Sequence, residues 1–312
     1  MWELKMRKLL ISGVLLILSI NINAHKYSSF EEISAAFGFD FENIQIQTKE
    51  IAPGVYKLVG AGGNIIASIG DQGVLIVDSQ FPQMIPKIKK AIENIGGNGI
   101  DFAINTHWHF DHADGNPTIG RDGTWIVAQE KSRRMMMNEN PIDLVRIAYM
   151  QPKMSKDGIP VITFEDKMKF HFNNQTIHLF NFGPAHTTGD TAVYFEDANV
   201  IHMGDVFNEN YPFIDSGNGG SIVGMINFCK SVLKIIDEDT LVVPGHGGTK
   251  KYSDLMSYTN MLETISSRIS AAIEKGMTID QVVASRPTSE FDEEFGDPLM
   301  LINRAYRSLA RQ

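Results

Sequence analysis

Between positions 106 and 112 the chain reads Thr106-His107-Trp108-His109-Phe110-Asp111-His112. Three imidazoles and one carboxylate crowd together directly after Phe102-Ala103-Ile104-Asn105, a short apolar run of the buried-strand type. Three further groups share that setting: His186 in Gly183-Pro184-Ala185-His186-Thr187, Asp205 in Gly204-Asp205, and His246 in Gly245-His246-Gly247. Each lies at or just past the end of a predicted strand, with a glycine close by where the backbone can turn sharply. Five of the nine histidines are placed in this way. A fold that accommodates all of them has to gather several strand ends along one edge.

The side-chain types point to a cation. Imidazole and carboxylate suit borderline divalent ions such as Zn2+ and need no thiolate. The single cysteine, Cys229, excludes both an internal disulfide framework and a cysteine-rich zinc finger. His107 and His109 alternate along an extended segment, so both point the same way. Asp111 and His112 follow on the next turn, within reach of a second ion. One ion lowers the pKa of bound water to about 7; two can share a hydroxide and also hold a substrate oxygen.

The rest of the chain reads as two β-rich halves with helices outside them. In the first half, Gly54–Val59, Asn64–Ile69 and Val74–Val77 are predicted strands, the last apolar throughout as if buried on both faces. Pro86–Ile95 is a predicted helix, followed by Gly96-Gly97. In the second half, Met168–Phe172 and Thr176–Phe182 flank the turn Asn173-Asn174-Gln175. Ala192–Phe195, Val200–Met203 and Leu241–Val243 are further strands, and Val223–Ile236 is an amphipathic helix. Beyond Tyr252 the pattern is helical over 252–274, 279–284 and 298–309.

The His-x-His-x-Asp-His pattern of His107, His109, Asp111 and His112, followed in order by His186, Asp205 and His246, resembles the metallo-β-lactamase superfamily over about residues 53–250. The resemblance implies an α+β fold, a four-layer αββα sandwich with a dinuclear site at the sheet edges, continued by a helical C-terminal part over 251–312. It implies two Zn2+ per chain. His107, His109 and His186 would hold the first, Asp111, His112 and His246 the second, and Asp205 would bridge them. The diiron flavoprotein branch carries Glu where this chain has His109, which favours the hydrolytic branches. The β-lactamases proper carry Cys or Ser where this chain has Asp205. A bridging Asp resembles glyoxalase II-type thioesterases and lactonases. The implied activity is attack of a metal-bridging hydroxide on an ester, thioester or lactone carbonyl of a small-molecule substrate. Asp111 would be the catalytic residue, orienting the hydroxide and passing its proton toward the leaving group. Two other activities stay open at this point: β-lactam hydrolysis and iron-dependent persulfide dioxygenation. A binding module that kept the fold is disfavoured by the complete ligand set.

The N-terminus has its own pattern. Lys5, Arg7 and Lys8 precede a 12-residue apolar stretch, Leu9 to Ile20, and Ala24 suits cleavage. Residues 1–24 therefore read as a signal peptide, leaving a hydrolase domain over 25–312 that is periplasmic or secreted. The stretch is shorter than the roughly 20 residues of a membrane-spanning helix, so no stable span is expected after cleavage. The net charge of −9 and the lack of a long basic run argue against nucleic acid as a partner. Oligomeric state is left open.

Several residues carry two readings each. Thr106, Thr187 and Asp78 are candidates for fixing the ligand imidazoles, with Asp78 alternatively a cap. Phe81, Trp108, Phe110, Tyr211 and Phe213 either line a pocket or fill the core. Gly217–Ser221 is an anion cradle or a turn with Ser221 as N-cap. Residues 130–160, rich in methionine, form a lid or packed core. Cys229 reads as a small buried group and His202 as structural. His171 and His178 read as surface residues, and His25 lies outside the metal pattern.

Overall fold

The computed structural model describes residues 27–311. The signal-peptide expectation for residues 1–24, and His25, lie outside them. Two large sheets dominate. The first orders its strands Gln47–Ala52, Val55–Val59, Ile65–Gly70, Gly73–Val77, Phe102–Ile104, Trp125–Gln129 and Ile162–Phe164. The second runs Lys167–Phe172, Gln175–Phe180, Ala192–Phe195, Val200–His202, Leu241–Val243 and Lys250–Lys251.

Each sheet begins as an antiparallel meander and then changes direction. Gly73–Val77 pairs parallel with Phe102–Ile104, and Val200–His202 pairs parallel with Leu241–Val243. A parallel neighbour requires a crossover, and helices supply both: Ile85–Asn94 in the first half and Ile222–Val232 in the second. Ser221 caps the second helix, accepting from the Gly224 N–H at 3.3 Å, so the turn reading of Gly217–Ser221 holds.

Alternation along the strands builds the layers. Val74 and Ile76 pack outward with Ile85, Ile88 and Ile92 of the crossover helix. Leu75 and Val77, facing the other way, meet Ile177, Leu179, Val193 and Phe195 of the second sheet. Both faces of this strand are therefore buried, as its continuous apolar run predicts. On the far side, Ile201 and Val242 pack with Leu255, Leu262 and Ile265 of the helix Tyr252–Glu274. The result is helix, sheet, sheet, helix. The expected helical C-terminal part is present, and its first helix, Tyr252–Glu274, covers the second sheet as the fourth layer. Cys229 lies fully buried in this cluster, and burial pushes its thiol up to about 12.

Several elements escaped the sequence reading, among them the strands Trp125–Gln129 and Ile162–Phe164, the helix Phe30–Phe37, capped by Ser29 with Glu32, and the edge strand Gln47–Ala52. The last of these shows why. Four of that strand's six residues are exposed, so it lacks the apolar signal that marks a buried strand. Among the described residues, no helix is long and apolar enough to cross a membrane.

Candidate metal centre

The parallel switch points place the site. Gly73–Val77 ends at Asp78, Phe102–Ile104 leads into His107 and His109, Val200–His202 into Asp205, and Leu241–Val243 into His246. All four loops leave carboxyl ends of strands, where open α/β sheets present their binding crevice. Asp111 and His112 follow on the one-turn helix Phe110–Ala113, and His186 lies in the loop before Ala192–Phe195. Two contacts stitch the sheets together here: Asn64 donates its backbone N–H to the Gly245 carbonyl at 2.7 Å, and His202 Nε2 donates to the Asn64 carbonyl at 2.8 Å. His202 Nδ1 accepts the Gly204 N–H at 3.0 Å, so this buried histidine is structural, holding the turn that carries Asp205.

All seven predicted ligands converge. Three overlapping groups each bring their ligand atoms within 4.8 Å of one another: His107–His109–His186, His107–His112–Asp205, and Asp111–His112–His246. Asp205 sits between the outer two: its Oδ1 is 3.1 Å from His112 Nε2 and 3.5 Å from His246 Nε2, and its Oδ2 is 3.9 Å from His186 Nε2. The His246 Nε2 to Asp111 Oδ2 distance is 3.1 Å. Close approach of backbone makes room. A Cβ on Gly63 would lie 2.1 Å from the His112 ring, and one on Gly245 would lie 1.9 Å from Asp205 Oδ1.

Whether these residues suit a cation is decided by their outward-facing atoms. His186 Nδ1 must donate to the Phe213 carbonyl at 2.8 Å, because a carbonyl can only accept. His109 Nε2 donates to Asp215 Oδ2 at 3.0 Å, and His112 Nδ1 to Asp78 Oδ2 at 2.7 Å. Thr106 Oγ1 donates to Asp78 at 2.7 Å, so it receives its own bond from His107 Nδ1–H at 3.0 Å. In each neutral ring the inward nitrogen is therefore a lone pair. His109 Nδ1 and His186 Nε2 face each other at 2.9 Å, and buried His107 Nε2 has no hydrogen-bond partner. Lone pairs crowded without protons between them repel, and a shared cation removes that repulsion. The residues fit a metal.

Ionisation agrees. Burial, then the neighbouring imidazoles, pushes His107 well below the usual imidazole range, and burial lowers His186. Burial would lower His112 too, but Asp205, Asp111 and Asp78 outweigh it and hold it well above that range. Burial would likewise raise Asp205, and His246 and His112 overcome it to keep that carboxylate well below its ordinary value. The neutral-ring reading is thus supported at His107 and His186, while the carboxylates draw positive charge to the His112 position and Asp205 stays ionised.

The described chain meets the metallo-β-lactamase superfamily model over residues 60–249. The chain belongs to the metallo-β-lactamase superfamily. Among curated relatives it is 25% identical over 199 residues to a probable metallo-hydrolase of Methanocaldococcus jannaschii, covering 62% of this chain and 92% of the other. It is 23% identical over 173 residues to the 2,4-dinitroanisole O-demethylase subunit alpha of a Nocardioides species, covering 54% of this chain but 48% of that one. Similar solved structures include a metallo-β-lactamase from Pontibacter korlensis, with a TM-score of 0.56 at 16% identity, covering 70% of this chain and 99% of that one. The DIM-1 metallo-β-lactamase, exposed to ceftazidime, superposes with a TM-score of 0.57 at 16% identity, covering 70% and 97%. These structural likenesses establish the shared fold. As a superfamily hydrolase, the protein carries its His and Asp cluster at the sheet edges.

A cavity of about 550 Å³ opens onto the cluster, with His109, Asp111, Asp205 and His246 on its floor. Phe110, Tyr211 and Phe213 line it as the sequence suggests, whereas Trp108 and Phe81 are fully buried in the core. Thr187 also departs from expectation: its hydroxyl donates to Asp190 at 2.7 Å. Residues 130–160 divide between the two readings. Met136 and Met154 pack into the core, while Ile142 and Leu144, on and beside the hairpin Asn140–Asp143/Ala148–Gln151, form cavity wall.

Asp78 and Thr106 do hydrogen-bond imidazoles of the cluster, those of His112 and His107. Asp78 adopts φ 66°, a left-handed conformation tolerated by Asp, and the Thr106 N–H and hydroxyl and His112 all bond to its carboxylate. Asp215 was missed. It also receives the Asn218 N–H at 3.3 Å, an ordinary turn contact, and nothing near it in sequence announces His109, 106 positions away.

Proposed function

We propose that the protein is a dinuclear zinc-dependent hydrolase of esters, thioesters or lactones. His107, His109 and His186 would hold one ion, Asp111, His112 and His246 the other, with Asp205 shared. Bound there, zinc supplies Lewis acidity and lowers the pKa of water to about 7. The observation that carries the reading is the set of inward lone pairs, each fixed by a partner behind its ring, with Asp205 between two groups of ligands. The Asp at position 205, where the β-lactamases proper resemble this chain less, favours the ester, thioester and lactone side.

The chain's own groups supply the rest. Asp111 faces the cavity; burial opposes its ionisation, but His112 and His246 hold its pKa below the ordinary value, so it accepts a hydrogen bond from the attacking water and orients it. As water adds to the acyl carbon and the acyl–oxygen or acyl–sulfur bond breaks, Asp111 relays the proton to the departing atom. Asp78, Thr106 and Asp215 keep the imidazoles from rotating.

The test combines a metal count per chain with turnover on lactones, thioesters and β-lactams. Two zinc ions per chain with carbonyl-ester or thioester turnover is the expected result. One iron without zinc, with oxygen consumed on a persulfide, would replace this reading, as would turnover confined to β-lactams.

A further inference from the structure

The wall of the cavity differs in kind from its floor. Among the described residues that line it, Phe37, Phe39, Phe110, Ile142, Leu144 and Met300 give an apolar surface that continues outward from the ligand cluster. The charged side chains on the lining, apart from the ligands, are carboxylates: Glu209 and Asp297. No lysine or arginine lines the cavity among the described residues. Both carboxylates are already paired with cations that are not on the lining: Lys250 Nζ lies 2.7 Å from Glu209 and Arg146 Nη2 lies 2.8 Å from Asp297. A carboxylate carried at the far end of a substrate would meet apolar rings and two like charges, and no free cation would replace its lost hydration. An alkyl chain in the same place loses only water contact.

We propose that the substrate is an uncharged ester or lactone with an apolar acyl chain, and that the wall of Phe37, Phe39, Ile142, Leu144 and Met300 selects for the chain and against a distal carboxylate. This deepens the hydrolase reading and rests on it. Three of the five wall positions, Phe37, Phe39 and Met300, lie outside the family-matched residues 60–249, and the other two, Ile142 and Leu144, lie on the hairpin after the ligand motif. The preference is thus carried by residues other than the ligand set, three of them outside the family-matched stretch. The hairpin is tied to its neighbours by the Ser28 N–H to Ala148 carbonyl bond at 2.7 Å and by Arg304 with Asp143 at 3.0 Å, so the wall has a fixed backing.

The experiment uses the zinc-loaded protein. Initial rates are measured on p-nitrophenyl acetate, butyrate and octanoate, and on an octanoate analogue ending in a carboxylate. The expected kcat/KM rises at least tenfold from acetate to octanoate and falls at least tenfold when the chain end is ionised. Phe37→Ala and Leu144→Ala should each lower the octanoate-to-acetate ratio at least threefold, and Met300→Lys should reverse the penalty on the carboxylate. Turnover of acetate with no gain on octanoate, or with the carboxylate tolerated, overturns the inference and leaves the hydrolase reading standing. If no ester turns over, the hydrolase reading falls, and the wall is judged by binding alone with uncharged Nile red as the probe. Displacement by decanol at a concentration at least tenfold below that of decanoate supports the inference; equal displacement overturns it.

Discussion

The floor and the wall of the cavity are built on opposite plans. In and beneath the floor, His107, His109, His112 and His186 are almost wholly shielded, each ring fixed by a partner 2.7–3.0 Å behind it, with His246 alone of the five cluster imidazoles well exposed. On the wall, Phe37, Phe39, Leu144 and Met300 are partly or well exposed, Phe37 at 48%, while Ile142 is anchored in the core, and Asp297 pairs with Arg146 at the surface. The floor's residues come from loops at strand ends within the family-matched stretch; Phe37, Phe39, Phe295 and Met300 come from outside it. Chemistry that tolerates little displacement is housed where packing fixes it, and discrimination between substrates is placed where side chains can change at little cost to the fold.

The sharpest way to break this contrast is at Asp111. Asp111→Asn keeps the shape and removes the proton-relaying carboxylate, so kcat should fall by about 10²–10⁴ while His107, His109 and His186 keep most of their metal. Wild-type turnover in that variant would remove Asp111 from the mechanism. Next comes Asp215→Ala, which strips His109 of its outward acceptor and should cost about 10–100-fold in metal affinity or activity. Metal titration of the apoprotein measures it, and an unchanged affinity would mean that packing alone orients His109. Gly63→Ala acts through space: its Cβ would lie 2.1 Å from the His112 ring, so the ring or the backbone has to shift. A stability loss of about 1–3 kcal/mol is expected, with metal loss confined to the site of Asp111, His112 and His246. Denaturant unfolding with a metal count checks both parts.

The same contrast governs what could be seen in the sequence. The convergence of the seven candidate ligands was legible because their chemistry is concentrated in one short motif and in glycine-flanked turns, each following an apolar strand. Asp78 was legible as an acid ending a buried strand, a position that demands a partner. Asp215 was not, because it satisfies a local turn and meets His109 only through the fold. Trp108 and Phe81 stayed open between cavity and core because an aromatic beside a motif looks the same in either place; the direction is set by the turn at His109 and by the packing of Phe81 against Phe30, Phe39 and Phe41. The helix Phe30–Phe37 and the edge strand Gln47–Ala52 carry weak patterns because each buries little of itself. Wall residues were illegible for a related reason: 37, 142 and 300 become neighbours only after both sheets and the outer helices have assembled.

The smallest expected effect is the one that tests the wall as a wall. Phe37 follows seven helical residues, lies beside the left-handed cap Gly38, and stacks on Phe39 with ring centroids 5.7 Å apart. With nearly half its surface already in water, Phe37→Ala leaves no sealed void for the protein to pay for, unlike a core Phe→Ala that costs about 3–5 kcal/mol. Its effect on unfolding should stay within about 0.5 kcal/mol, a shift of roughly 1–2 °C for a chain of this size. A calorimetric scan decides it. A loss of several degrees would make Phe37 part of the frame that supports the floor, and the division between a fixed reaction centre and a replaceable selective surface would then fail at the residue where it is most exposed.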